Sequence, residues 1–574
     1  MIEKMTKYTF LLLQSEKDEF LDRLQELGVV DISRSSKPVD TESASILEEI
    51  ETLQARVKQI AKGMDPTLEK MLAEENQLVK YKREIAVWGE YDPDLLRRFN
   101  PGFYCVSEKN FDPAWAETYA LGEVCRKDGK VWFVIFSNRE GFPVKEMEAP
   151  KMSLAEIDAE IKKKHTEVDI YKAKLETEKV RIPAIKDEIN VLYAKLNRHL
   201  ASVTGEDSIE NAIVIYQGFA PAQENARLKQ TFDRMDIFYM DEDAVAEDRP
   251  PVKLKNNAFS RQFEVFTKMY GMPVYDEFDP TALLSIFFLL FFAMCMGDAG
   301  YGILLIIIGF VLRGKEGSLA KMWSLIVTLG VGTFVVGLVM GTFFGLDLSV
   351  QSWVPESLRK LMITGNVELG GGSYAKQMIL SLGIGVGHIC LAMLLKAWWA
   401  VRRNGFKNSL GTLGWTLLIV GGIVGLAFGL TGVISEAAMK TALLVIAGVS
   451  CLGIFIFNKW GRNPLVNIGA GLWDTYNTAS GLMGDVLSYI RLYALGLSGS
   501  MLGSTFNQIA EMVKGADPTW QWVPFVLILL LGHVLNLAMS CLGAFVHPLR
   551  LNFVEFFKNS GYEGRGVEYN PLRK

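Results

Sequence analysis

The residues best suited to chemistry sit in a stretch otherwise apolar enough for a lipid bilayer. In GDVLSYIRLYALGLSG, residues 484–499, Arg491 is a permanent cation. At bilayer depth an arginine costs about 2.5–3.5 kcal/mol on insertion scales. Such a charge either snorkels to an interface, neutralises a structural carboxylate, or serves a function. Helical spacing puts Gly484, Ser488, Leu495 and Ser498 near its face, and small residues there would let another helix approach the guanidinium. Asp485 lies six residues back, about 120° round the helix, and is poorly placed as a direct partner. The anion that answers Arg491 is therefore expected from another segment or another subunit. The last apolar segment adds His533, Asn536, Ser540, His547 and Arg550, each equally readable as a satisfied helix–helix contact.

Other chemistries find no support in the spacing. The six cysteines form no CxxC pattern and the five histidines no HExxH set, so neither a metal site nor a cofactor is expected. No GxxxxGK[ST] phosphate loop occurs, which argues against ATP hydrolysis by this chain. A net charge of −5 over 574 residues suggests no nucleic-acid partner.

The elements that must position Arg491 and Arg550 are apolar helices. Composition divides the chain near Asp279-Pro280 into a charged part, 1–280, and a glycine-rich apolar part, 281–574. The second part contains eight apolar segments, at about 281–296, 299–312, 322–346, 376–401, 410–431, 438–457, 464–513 and 521–557. The first two are shorter than the roughly 20 residues a perpendicular span requires and read as a hairpin turning at GDAGYG, 297–302. The last two exceed one crossing, so each is expected to tilt, break or extend beyond the bilayer. Arg313, Lys315, Lys321, Arg402, Arg403, Lys407, Lys459 and Arg462 follow the even-numbered segments. Asp298, Asp347, Glu356, Glu368, Glu436, Glu511 and Asp517 follow the odd ones, where Arg359, Lys360 and Lys376 dilute the bias in the third loop. By the positive-inside rule both termini face the cytoplasm. The opening MIEKMTKYTFLLLQSEKDEF has too short an apolar core for a signal peptide and agrees with that orientation.

The first part reads as α+β. KYTFLLLQ, KDEFLDRLQELG and VVDISR suggest a strand, a helix ended by Gly28 and a second strand. Ile46, Ile50, Leu53, Val57, Ile60 and Met64 follow coiled-coil spacing, interrupted at Asp65-Pro66, in a long helix over about 41–88. Leu154, Ile161, Val168, Leu175, Ile182, Ile189, Leu196 and Val203 recur every seven residues in a second helix over about 153–203, with Pro183 marking a bend or break. FYCVSE and KVWFVIFS place an α/β lobe at about 90–150. The expectation is a dumbbell, two α/β lobes joined by an antiparallel two-helix coiled coil about 70 Å long. A generic helical spacer fits the same residues.

SYIRLYALGLS at 488–498 and HPLRLNFVEFF at 547–557 resemble the last two membrane helices of subunit a of the rotary V-type and A-type ATPases, called subunit I in prokaryotes. CMGDAGYG at 295–302, YEGRG at 562–566 and ELGVVDIS at 26–33 extend the resemblance over the whole chain. The resemblance implies a membrane stator beside a rotating proteolipid ring, with Arg491 in the place of the family's essential arginine and Arg550 in that of its second. A fixed positive charge facing the ring would favour an ionised ring carboxylate and repel cations, so that ions do not leak between two aqueous half-channels. The implied role is H⁺ or Na⁺ translocation coupled to ring rotation. The implied partners are the ring, peripheral-stalk subunits that hold the N-terminal domain, the central-stalk connector, the soluble ATPase head and the bilayer of a prokaryotic plasma membrane. Eukaryotic relatives carry glutamates where this chain has Asn477 and Ser540, so Asp474, Asp485, Ser488, His533, Asn536 and His547 are taken as the polar half-channel candidates. The alternative is a stand-alone secondary transporter with a cytoplasmic regulatory rod. Such a protein would carry its own intramembrane carboxylate site, commonly between internal repeats, and no repeat is apparent.

Overall fold

The computed structural model describes the chain except residues 35–38, 64, 91–98, 128, 137–141, 150–151, 205, 209–212, 236, 315–316, 370–371, 431–434, 457–463, 514–521 and 574. Lys315, Lys459, Arg462 and Asp517, used above for orientation, and Met64 of the first seam lie outside the described residues. The chain is mostly helical and divides into two units: Met1–Phe10 with Gln217–Asn570, and Leu11–Tyr216 with Pro571–Lys574.

Strand β1 (Met5–Leu13) leads into α1 (Lys17–Leu27), which buries Phe20, Leu21 and Leu24 and ends where Gly28 turns left-handed at φ 62°. The expected second strand is reduced to Asp31–Ile32. Helix α2 (Thr41–Lys62) starts at a capping box in which the Asp40 carboxylate accepts from Ser43 N at 2.8 Å. Helix α3 (Pro66–Ile85) is capped by Asp65, with Pro66 in the first turn where no backbone donor is required.

The return path is α4 (Leu154–Glu178) and α5 (Ile182–Thr204), separated by a 3₁₀ turn at Lys179–Arg181 just before Pro183. Ile46 and Ile50 pack with Ile189, Leu196 and Leu200, while Leu68 packs with Val168 and Leu175, so the helices run antiparallel. The breaks in the two partners face each other. Tyr171 OH donates to Asp65 Oδ2 at 2.8 Å, and Gly63 lies beside Glu176 and Lys179. Val203 departs from the expected heptad: it is exposed, and Leu196 and Leu200 fill the seam at that end instead. Between α3 and α4 the expected α/β lobe is mainly sheet among the described residues. Strands β2 (Gly102–Ser107), β3 (Leu121–Lys127) and β4 (Lys130–Ile135) form an antiparallel sheet in the order β2-β4-β3, and a short helix lies at Trp115–Thr118.

In the other unit, β1 lies between β5 (Ile213–Pro221) and β6 (Phe238–Asp243), and α6 (Asn225–Arg234) packs Phe232 edge-on against Tyr8 and Phe10. The opening strand is therefore completed by chain some two hundred residues on, not by its sequence neighbours.

The apolar helices follow. Helices α7 (Thr281–Met296) and α8 (Ala299–Leu312) are short; α9 (Trp323–Met340), α10 (Lys376–Asn404), α11 (Lys407–Gly429), α12 (Ala437–Ile456) and α14 (Trp522–Ser560) are five helices long and apolar enough to cross a membrane. Between α12 and α14 runs α13 (Pro464–Val513), 50 residues without a break. Helix α14 instead passes through a π-helical segment at Leu551–Phe556, after Pro548.

Helices α8 and α9 touch through glycine. A β-carbon on Gly302 would sit 2.5 Å from Phe334 N, one on Gly330 2.9 Å from Ile306 N, and one on Gly337 would overlap Ala299 N. After α14 the tail lies on the approach to α7. Gly566 N donates to Met272 O at 2.8 Å, Glu563 N to Glu277 Oε1 at 2.6 Å, and Tyr562 OH to Gly271 O at 2.8 Å. Of the two glycines in YEGRG, Gly566 allows backbone-to-backbone contact, since a β-carbon there would overlap the Pro273 carbonyl, and Gly564 takes a left-handed φ of 63°.

Candidate functional site

Arg491 is half-buried near the middle of α13. Its helix turns Tyr489 and Leu492 inward, both fully buried, and leaves Gly484, Leu487, Ala494, Ser498 and Leu502 exposed along the stripe that includes Arg491. Among the described residues the guanidinium has no hydrogen bond or ion pair. Cys295 at the end of α7 and His547 on α14 lie within its electrostatic reach. Asp485 turns away from that stripe: it is buried, and its Oδ2 accepts from Asn559 Nδ2 at 2.8 Å.

Polar groups gather on both sides of Arg491 along α13. Toward the C-terminal end, His533 and Asn536 of α14 join one network. His533 Nδ1 is hydrogen-bonded with Tyr301 OH at 2.9 Å and its Nε2 with Asn507 Oδ1 at 3.0 Å. Asn536 Nδ2 donates to Tyr301 OH and to Gly499 O, both at 2.8 Å, and Ser540 Oγ donates to Asn536 Oδ1 at 3.3 Å. Asn507 Nδ2 also donates to Phe344 O at 2.8 Å. The network ends beside the α7–α8 turn, where Asp298 is buried and accepts from Gly300 N at 2.8 Å, Tyr301 N at 3.3 Å, Phe344 N at 2.8 Å and Gly345 N at 2.7 Å. Gly499 is eight residues beyond Arg491, about 12 Å along the axis.

Toward the N-terminal end the polar groups are charged. Asp485, six residues before Arg491 and about 9 Å along the axis, lines a cavity of about 370 Å³ with Asp474, Asn477, Lys396 and Lys558. Ser488 Oγ donates to Gly484 O at 3.0 Å and lies beside Glu555. Glu555, on the π-helical segment of α14, is 2 % exposed, its Oε1 is 4.0 Å from Arg550 Nε, and its Oε2 has no hydrogen-bond partner among the described residues. A π segment widens one turn of the helix and is frequent where a side chain has a task. Arg550 is otherwise exposed, and His547 lies near both arginines, its Nδ1 without a hydrogen-bond partner among the described residues.

The sequence candidates therefore fall into two groups, His533 with Asn536 on one side and Asp474, Asp485 and Ser488 on the other, with Arg491 and His547 between. Sequence reasoning missed Tyr301, Asn507 and Glu555. Glu555 carried a legible signal, a carboxylate five residues after Arg550 in a run still apolar; Tyr301 and Asn507 carried none. Among the described residues no cluster of His, Cys, Asp and Glu could hold a metal ion.

Residues 142–344 match the V-type ATPase 116 kDa subunit family. The chain is 27% identical to A-type ATP synthase subunit I of Methanocaldococcus jannaschii over 96% of this chain and 87% of that protein. It is 24% identical to V-type ATP synthase subunit I of Borreliella burgdorferi over the full length of both. With A-type ATP synthase subunit I of Pyrococcus horikoshii the identity is 31%, over 57% of this chain and 48% of that protein.

Proposed function

We propose that this chain, which belongs with subunit I of the A-type and V-type ATP synthases, is the membrane stator of a multi-subunit rotary ATPase. In this reading the exposed stripe of α13 faces a ring of proteolipid subunits, and Arg491 meets each ring carboxylate as it passes. The two polar groups are the two half-channels. Asp474, Asp485 and Ser488 serve the cytoplasmic side with Arg550 as an auxiliary charge, and His533 and Asn536 serve the other. Eight crossings with both termini in the cytoplasm put the paired helices α2–α5 where peripheral-stalk subunits could grip them, and the central-stalk connector and ATPase head complete the assembly.

One observation carries the reading: a half-buried arginine without a partner among the described residues, on an exposed stripe with small residues, with polar groups along the helix to either side. A bilayer-depth arginine paired within its own chain would be a structural ion pair; one left without a partner needs an anion from elsewhere. Fixed positive charge favours the ionised form of a carboxylate that approaches it and raises the barrier to a bare cation. Rotation then becomes the route by which ions pass from one half-channel to the other.

The test is ion uptake into vesicles, normalised to assembled complex. Arg491→Ala should assemble and lose ATP-driven uptake. Arg491→Lys should also fail badly, because an ammonium is a compact charge that loses its proton when buried and lacks the planar fork. Normal uptake by Arg491→Ala would overturn the reading, as would a variant in which Ala blocks assembly and Lys restores it. Uptake by the purified chain without other subunits would instead identify a stand-alone transporter.

A further inference from the structure

Two residues before Arg491, about 200° round α13, is Tyr489, and its surroundings are built with unusual closeness. Three residues of α10 at helical spacing, Ser381, Gly385 and His388, meet it on one face. Ser381 Oγ donates to the Tyr489 carbonyl at 2.7 Å, and the Tyr489 hydroxyl is hydrogen-bonded with His388 Nδ1 at 2.9 Å. Between them Tyr489 packs so closely on Gly385 that a β-carbon there would overlap its Cβ, Cγ and Cδ1. Ser381, His388 and Tyr489 are each at most 1 % exposed. His388 is itself held, stacked on Phe556 with centroids 4.4 Å apart and tilted at 34° against Phe287 at 4.1 Å, while Phe291 closes on Tyr489 edge-on at 5.7 Å.

We infer that Ser381, Gly385 and His388 are positioning residues that set the rotation of α13 through Tyr489 and so aim Arg491 at the ring. This rests on the reading of Arg491 given above. A uniform helix 50 residues long, with glycines, alanines and serines through its middle, has little of its own to fix its rotation about its axis. A turn of 30° would carry a group about 6 Å from the axis through about 3 Å, enough to separate the guanidinium from a passing carboxylate. Besides the hydrogen bonds at Asp485, Gly499 and Asn507, the clamp adds a deep contact close to Arg491 and on the side opposite it, where a ring needs no access. It holds α13 by the backbone carbonyl, the ring and the hydroxyl at one residue, which fixes both height and rotation. Phe556 is next to Glu555, so the same stack ties the π-helical segment of α14 to that point.

The glycines of α10 provide the experiment with its own controls. A β-carbon on Gly383 or Gly387 meets nothing within 4 Å, whereas one on Gly385 must displace Tyr489. The three Gly→Ala variants would be placed in the assembled complex in vesicles, in a background with the six native cysteines replaced, and Ala494→Cys, Leu495→Cys or Ser498→Cys added one at a time for cross-linking to the ring. Gly385→Ala should lower ATP-driven uptake per assembled complex at least tenfold and shift the balance of cross-linking between Ala494→Cys and Leu495→Cys, which flank Arg491 at about 60° on one side and about 40° on the other. Gly383→Ala and Gly387→Ala should stay within twofold in both measurements. Should Gly385→Ala fail to assemble, Tyr489→Phe removes the hydroxyl alone and should lower uptake several-fold while evening out cross-linking among the three positions. Uptake unchanged in Gly385→Ala or Tyr489→Phe, or uptake lost with the cross-link positions unmoved, overturns the clamp. Arg491→Ala in the same vesicles separates the two ideas. Loss there with a silent Gly385→Ala sinks the clamp alone; normal uptake there sinks both.

Discussion

Replacing Asp298 by alanine should remove fold, not transport. Its carboxylate accepts four backbone N–H groups: two from the first turn of α8, at 2.8 and 3.3 Å, and two from the Phe344–Gly345 turn, at 2.8 and 2.7 Å. A hydrogen bond to a charged acceptor is worth about 1.5–3 kcal/mol, and a buried donor left without its acceptor loses that and its hydration as well. Counting the three short bonds gives about 4.5–9 kcal/mol, and partial relaxation brings the expected loss to about 4–6 kcal/mol. Against a usual total of about 5–15 kcal/mol, that is severe. Asp298→Asn offers a sharper comparison. Oδ1 takes three of the four bonds and Oδ2 only that from Gly345 N, so an amide oriented with its oxygen at Oδ1 opposes one donor and costs about 2 kcal/mol. The assay is the thermal midpoint and protease half-life of the detergent-solubilised complex, read beside uptake per assembled complex. The expected order of stability is Asp, Asn, Ala, with uptake per surviving complex unchanged. A stable Asp298→Ala complex that has lost transport would refute the reasoning and move Asp298 into the ion path.

Other outcomes are equally direct. Arg550→Lys should keep partial uptake and Arg550→Ala should lose more, the charge being retained in the first and the fork in neither; full uptake by the alanine variant would remove Arg550 from the inner half-channel. Leu175→Asp with Ile189→Asp buries two unpaired carboxylates in the paired helices, at a cost of at least about 3 kcal/mol each, and should raise proteolysis within α4 and α5 and loosen stalk attachment with α7–α14 still inserted. Acid should open the start of α2. The Asp40 carboxyl is held down at about 2, against an ordinary 3.8, by its Ser43 hydrogen bonds and by His199, so its contribution is complete above 3.8 and lost as pH falls through 2. Amide exchange at Ser43 should rise over that window, and Asp40→Asn should flatten the response.

Much of the helical framework was legible because apolar runs stop at residues with strong local preferences. Helices α7, α8 and α13 begin and end where the runs at 281–296, 299–312 and 464–513 do, at Gly297-Asp298, Arg313 and Pro464. Arg491 was legible for the opposite reason, a single charge against an apolar ground. His533 and Asn536 stood out in the same way, but their partner Tyr301 did not, since a tyrosine at the start of an apolar run is unremarked until its hydroxyl finds something 232 residues away. Tyr489 and His388 were hidden likewise. The partners of β1 escaped because a period of two reports that a strand has faces and says nothing of which strand lies beside it. Val203 misled because a seven-residue repeat continues in sequence past the level where the opposing helix still offers a surface.

The glycines shared by α8 and α9 bear on how this chain can vary over time. Glycine is the smallest residue, so every amino-acid change at Gly302, Gly330 or Gly337 is an enlargement, and each would drive atoms into backbone or side chain of the facing helix. A large core residue can shrink, swap shape or be rescued by a neighbour that grows; these positions can do none of those, because the obstructing groups include main-chain atoms that no substitution removes. In a saturating mutational survey they should read as near-blank columns, while the exposed isoleucines at 307 and 308 on the same helix accept most apolar replacements.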